Sequence, residues 1–216
     1  LREKGKVPSG EYQIKFLMKA GVITVTPKNG NNLLFMSQLL PDYKLPLNYQ
    51  KKISDVLGIS PSAINSTYPI QIVSTGLPVL IVPIVSMNSL KKIRPDNNRL
   101  KQILTSLGLD MINTFTMQTI HSNSLIHSRV FAPGMGILED PATGSAAGAM
   151  GSYLFKNNVV SKNVCKNICI EQGYLMGRPS TLYVEVEQEN NKIKTIRVGG
   201  ESVTVLEGWF NVGNFQ

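Results

Sequence analysis

"EDPATGSAAGAM", residues 139–150, sets an acid and a proline in front of a run of almost nothing but small residues. From Gly144 to Ser152 only Met150 is larger than alanine or serine, and Gly144, Gly148 and Gly151 recur at helical spacing. Each interior glycine costs a helix about 0.5–1 kcal/mol relative to alanine. A helix written for its own stability would not carry three. The pattern predicts a helix over residues 141–156 whose backbone something else must approach closely.

The flanks say what approaches. A strand ends at Phe131, Pro133 and two glycines make a loop, and Asp140-Pro141 reads as a helix start, because proline is favoured in the first turn. The N–H groups of Ala142, Thr143, Gly144 and Ser145 then point outward at the positive end of the helix dipole, which makes an anion site. With no Cβ at Gly144, a carboxylate or phosphate can reach the main chain, and Thr143 and Ser145 add hydroxyl donors. A phosphate loop would need a G-x-x-x-x-G-K run ending in Ser or Thr, and there is no lysine here. "GMGILE" (134–139) lacks the third glycine and the following helix of a dinucleotide fingerprint. A small carboxylate fits better, with Asp140 beside it to handle a proton. Asp140 reads equally well as a plain helix cap, and Thr143 and Ser145 as capping or packing hydroxyls.

The 216 residues carry 42% hydrophobic and 17% charged side chains, the balance of a folded chain. A net charge of +8 invites a nucleic-acid reading, but the basic residues are scattered. The tightest cluster, Lys91-Lys92-Ile93-Arg94, is short, no aromatic stripe interleaves with it, and no nucleic-acid-binding motif appears. A solvated basic surface is expected, with no nucleic-acid partner. Cys165 and Cys169 lie in a strand-like stretch, and four residues of strand span about 13 Å, too far for a disulfide. His121 and His127 are distant in sequence, so no metal site is expected, and free thiols fit a reducing, cytoplasmic compartment. No apolar run approaches the ~20 residues of a membrane helix, so no membrane partner is expected. "LREKGKV" (1–7) reads as a helix tail ending on Gly5.

Along the chain, strands are expected at 11–18, 21–27 and 33–37, and a short helix at 47–58. Residues 70–85 give two buried strands pivoting on Ser74-Thr75-Gly76, and 95–108 a helix capped by Asp96. Further strands are expected at 111–118, 125–131, 167–171 and 181–187, with a hairpin within 193–206. Strands outnumber isolated helices, which predicts an α+β fold. A weak repeat links Leu1–Val7 to Leu154–Val160 and Phe16–Gly21 to Ile168–Gly173. His127 and Arg129 alternate on one strand and read as a structural polar face; Arg178 reads as an exposed loop residue.

"FAPGMGILEDPATGSAAGAMGSYL", with "STGLPVLIVPI" upstream and "EQGYLMGRPSTLYVEV" downstream, closely resembles the signature of the PhzF-like phenazine-biosynthesis isomerase/epimerase family. The resemblance implies a diaminopimelate-epimerase-like fold of two pseudo-symmetric lobes, each a strongly curved sheet around a central helix. Residues 1–69 would then be the remnant of an incomplete first lobe and 70–216 the second, its last strand returning to the first. It implies a cofactor-independent isomerase that moves a proton on a small carboxylic acid in the cleft between lobes. Asp140 matches the family's acidic residue of the second half, and Gly144 and Ser145 match positions that hold the substrate's carboxylate. The family's acid/base glutamate and Gly-His motif belong ahead of Leu1, so the chain is expected to lack the front of such a protein. The alternative is a non-catalytic small-acid-binding protein of the same fold. A homodimer is the expected assembly.

Overall fold

The computed structural model describes residues 13–19, 21–28, 33–201 and 205–209. The alternating stretches near the start of the chain pair antiparallel as β1 (Ile14–Met18), β2 (Gly21–Pro27) and β3 (Leu34–Ser37). The helix tail expected over Leu1–Val7 lies outside the described residues. β4 (Asp42–Tyr43) leads to α1 (Gln50–Leu57), which stops where Gly58 adopts φ 68°. β5 (Gln71–Ser74) and β6 (Pro78–Pro83) form the hairpin expected about Ser74-Thr75-Gly76. Next come α2 (Met87–Lys92), capped by Ser86, and α3 (Asn97–Ser106), capped by Asp96 through the Arg99 N–H at 3.1 Å. α2 escaped the sequence because it is six residues long and buries only Leu90, which leaves no apolar period to detect.

β7 (Met111–Thr116) and β8 (Ile126–Ala132) pair antiparallel, and β8 folds back through Pro133–Met135 into β9 (Ile137–Asp140). α4 (Gly144–Lys156) follows, then β10 (Ile168–Gln172), β11 (Ser180–Glu189) and β12 (Lys192–Gly200). The hairpin placed within 193–206 is made one strand earlier. β11 and β12 turn about Asn190 and Asn191, both at positive φ, which suits a two-residue hairpin turn. No strand follows among the described residues of 201–209.

The described strands make one mixed sheet in the order β1-β2-β3-β12-β11-β10-β8-β7-β6-β5-β4, with β9 beside β8. Only β10–β8 and β6–β7 are parallel in this sheet. α4 packs against β11 and β12 and also against β5 and β6, so the sheet bends around it. Residues 146–155 are buried on every side, as a helix that is apolar all round should be. Val73, Ile81, Val130, Ile170, Val184 and Val198 of the inner face close on this helix. The outer face carries a second core, where Ile53, Leu90, Leu100 and Leu104 cover Ile72, Leu80, Ile112 and Phe131. α1 thus shares a core with residues 70–131. The result is the expected α+β fold with a curved sheet about a central helix.

Candidate active site

Two of the three glycines of α4 answer to packing. A Cβ on Gly151 would lie 2.6 Å from Val184 Cγ1, and one on Gly148 would lie 2.9 Å from Thr75 Oγ1 and 3.1 Å from Gln38 Cγ. At both positions a Cβ would force a packed neighbour to shift. Gly144 differs: a Cβ would meet only Val198 Cγ1, at 3.8 Å, an ordinary contact. Packing does not demand this glycine, and it is half-buried at the first position of the helix.

The helix begins three residues later than Asp140-Pro141 suggests. Asp140 is the last residue of β9, its backbone paired with Val130, and Thr143 is the N-cap. The Asp140 carbonyl accepts from Gln172 Nε2 at 2.6 Å instead of opening the helical ladder. The first intrahelical bond at this end runs from Ala147 N–H to Thr143 O. Asp140 therefore does not cap the helix. The Thr143 N–H is taken by Gln172 Oε1 at 3.4 Å, which leaves Gly144, Ser145 and Ala146 as the residues whose N–H groups precede the ladder. The side chain of Thr143 caps none of them, and no acid sits in the first turn. This end of the helix presents its partial positive charge with no cap on those N–H groups and the Asp140 carboxylate nearby.

Of the four residues singled out in the sequence, the structure joins Asp140 and Thr143 directly: the Thr143 hydroxyl donates to Asp140 Oδ2 at 2.5 Å. Ser145 is half-buried and its hydroxyl bonds no described residue. Gln172 was missed. It is 1% exposed and touches the site three times, through the Asp140 carbonyl, the Thr143 N–H and the Thr143 hydroxyl at 3.0 Å. Its signal was an amide at the inward position of a strand whose earlier inward residues are Ile168 and Ile170. Gly173 follows at φ 80°, where a Cβ would lie 2.1 Å from Arg178 O and 2.9 Å from Pro141 O. Only glycine lets β10 end against the Asp140–Thr143 connection.

The outer face of the same strands holds structural pairs. Arg129 binds both oxygens of Glu139, at 2.8 and 2.9 Å, and donates to the Leu90 and Ile93 carbonyls. His127 Nδ1 lies 2.8 Å from Glu171 Oε2, and both side chains are fully buried. Glu171 also accepts from the N–H groups of Ile120 and His121 at 2.9 and 2.6 Å, which ties the β7–β8 connection to β10. A cavity of about 640 Å³ opens on this outer face between Lys91, Arg94, Arg129 and Glu139. It lies across the sheet from α4, and its Arg129 and Glu139 neutralise each other. Cys165 and Cys169 are buried free thiols, and Arg178 is exposed. Among the described residues no cluster of His, Cys, Asp or Glu is built to hold a metal, and no helix is long and apolar enough to cross a membrane.

A curved sheet around a central helix is a fold already seen in solved structures. The chain is similar to the phenazine biosynthesis protein, PhzF family, of Bacillus anthracis, with TM-score 0.78 and 23% identity over 93% of this chain and 68% of that one. It is also similar to a predicted epimerase of Pseudomonas aeruginosa, with TM-score 0.75 and 23% identity over 92% of this chain and 66% of that one. The fold is thus that of the PhzF and epimerase-like proteins. The chain belongs to the phenazine biosynthesis-like protein family, PhzC-PhzF, whose model matches residues 1–208. Among curated relatives it is 33% identical to the uncharacterized isomerase YfhB of Bacillus subtilis, over 92% of this chain and 68% of the relative. It is 31% identical to a trans-2,3-dihydro-3-hydroxyanthranilate isomerase of Pseudomonas chlororaphis, over 80% of this chain and 57% of the relative. The chain therefore spans 57–68% of the length of these two relatives.

Proposed function

We propose that this chain supplies one side of the active site of an isomerase that moves a proton on a small carboxylic acid without a cofactor. The substrate's carboxylate docks on the N–H groups of Gly144 and Ser145, helped by the Ser145 hydroxyl, in a cleft between two lobes. Asp140 passes a proton at the neighbouring carbon. One observation carries this reading: a free helix N-terminus, opened by a glycine that packing does not require, lies beside a half-buried carboxylate held by Thr143. The isomerase names of the relatives support the reaction class. The buried free thiols support a reducing compartment such as the cytoplasm, and assembly as a homodimer belongs to the same reading.

The test uses the full-length protein in D2O with trans-2,3-dihydro-3-hydroxyanthranilate, the compound named for the Pseudomonas chlororaphis relative, as probe. Deuterium should enter the probe's ring carbons. Asp140→Asn, which keeps the shape of the side chain, should slow that entry by roughly 100-fold or more, the usual scale for a general acid–base group. Exchange that is undiminished in Asp140→Asn removes Asp140 from the chemistry. Tight binding with no exchange in the wild-type protein points instead to a non-catalytic acid-binding protein.

A further inference from the structure

The three polar groups behind the site admit one arrangement of hydrogens. Gln172 Nε2 lies 2.6 Å from the Asp140 carbonyl, which can only accept, and Gln172 Oε1 faces the Thr143 N–H, which can only donate. Turning the amide over would set oxygen against oxygen and N–H against N–H. The main chain therefore fixes which end of Gln172 is the donor. The second Nε2 hydrogen points at Thr143 Oγ1, 3.0 Å away, so the hydroxyl accepts there. Its own single hydrogen then goes to Asp140 Oδ2 at 2.5 Å, since no other acceptor among the described residues takes it. A buried hydroxyl hydrogen left without a partner would carry the full cost of desolvation.

We propose that Gln172 is a positioning residue: by fixing the direction of the Thr143 hydroxyl, it reserves Asp140 Oδ2 as an acceptor and leaves Oδ1 as the oxygen that carries the transferable proton. This rests on Asp140 being the proton-handling group proposed above. When the substrate's C–H bond breaks, its electron pair stays on the substrate and the proton forms the Oδ1–H bond. In the delivering direction Oδ1–H breaks as the new C–H bond forms, and the negative charge left on the carboxylate is met at Oδ2 by the Thr143 hydroxyl. Gln172 touches no substrate. It keeps the acid from storing its proton on the oxygen that faces away from the reaction.

Two measurements on the full-length protein test this separately. In NMR of the ligand-free wild-type protein, the Thr143 hydroxyl proton should be slow to exchange and coupled through its hydrogen bond to Asp140 Cγ. Gln172→Met, which keeps length and apolar bulk, should speed its exchange more than tenfold. Coupling to Gln172 Cδ instead, or a hydroxyl proton equally protected in Gln172→Met, overturns the proposal. In deuterium exchange with trans-2,3-dihydro-3-hydroxyanthranilate as probe, Gln172→Met and Thr143→Val should lower kcat between about tenfold and 100-fold, as for a misdirected catalytic group. KM should change less than twofold, and Thr143→Ser should restore most of the rate. Unchanged kcat in Gln172→Met overturns the proposal. A wild-type protein with no exchange at all sinks the isomerase reading, and the NMR result then decides the direction of the hydroxyl without it.

Discussion

Gly144 and Gly151 lie seven residues apart on one helix and owe their identity to different forces. At Gly151 the constraint is contact: a Cβ 2.6 Å from Val184 Cγ1 must push a β-branched side chain with little rotamer freedom. Gly151→Ala should therefore destabilise the fold by about 1–3 kcal/mol, the scale of overpacking in a close-packed core. Gly144→Ala meets only Val198 at 3.8 Å and gains helix propensity. Its stability should be unchanged or raised by up to about 1 kcal/mol, while affinity for a carboxylate at the helix start falls. Urea unfolding of the two variants, beside titration with 3-hydroxyanthranilate, reads both effects. A Gly144→Ala protein that binds as well as wild type would remove the reason offered for this glycine. Small residues announced close approach in the sequence, but the sequence has no means of telling sheet from ligand.

At the scale of elements, periodicity served best where one face is buried and the stop is chemical. α1 ending on Gly58 and α3 beginning on Asp96 were legible for that reason, and the β5–β6 hairpin, buried on both faces, as two apolar runs broken at Ser74-Thr75-Gly76. The start of α4 was not, because Asp140-Pro141 has a capping residue followed by a first-turn proline, the local marks of a helix start. Those rules lose to the pairing of Asp140 with Val130 and to Gln172 taking the Asp140 carbonyl. Both partners are remote in sequence. Gln172 itself, 29 residues beyond Thr143, comes to the site through β10 lying parallel to β8, a contact that no local pattern encodes. Asp140 and the small residues of the helix were visible as residues; where the helix starts and what orients the carboxylate were not.

For the whole molecule, the weak repeat takes on physical form. β1, β2 and β3 meet β12, β11 and β10 in mirrored order, joined antiparallel at β3–β12. Gly21 and Gly173, matched by the repeat, are both at positive φ, but Gly21 opens β2 whereas Gly173 directly follows β10. The outer face sets a dependence on pH. Burial pushes the His127 imidazole below its usual 6.5, and this outweighs the pull of the Glu171 carboxylate. Burial raises Glu171, but the N–H groups of Ile120 and His121 and the His127 ring outweigh it and hold the carboxyl below its usual 4.5. Below pH 6.5 the unfolded chain binds a proton on His127 that the folded chain refuses, so stability falls as pH falls. Glu171 adds to the loss below 4.5. The urea midpoint should be lower at about pH 5.5 than at about 7.5, and His127→Gln should flatten that difference. A wild-type midpoint that does not move over this range contradicts the assignment.

The proposed site holds a carboxylate at the start of α4, with Asp140 beside the reacting carbon. A crystal structure of the full-length protein with 3-hydroxyanthranilate tests it most directly. One carboxylate oxygen should lie within hydrogen-bond distance, about 2.7–3.2 Å, of the Gly144 or Ser145 N–H, with Asp140 Oδ1 turned toward the ring. A ligand seated instead across the sheet, in the cavity between Lys91, Arg94 and Arg129, with the start of α4 holding only water, would contradict it.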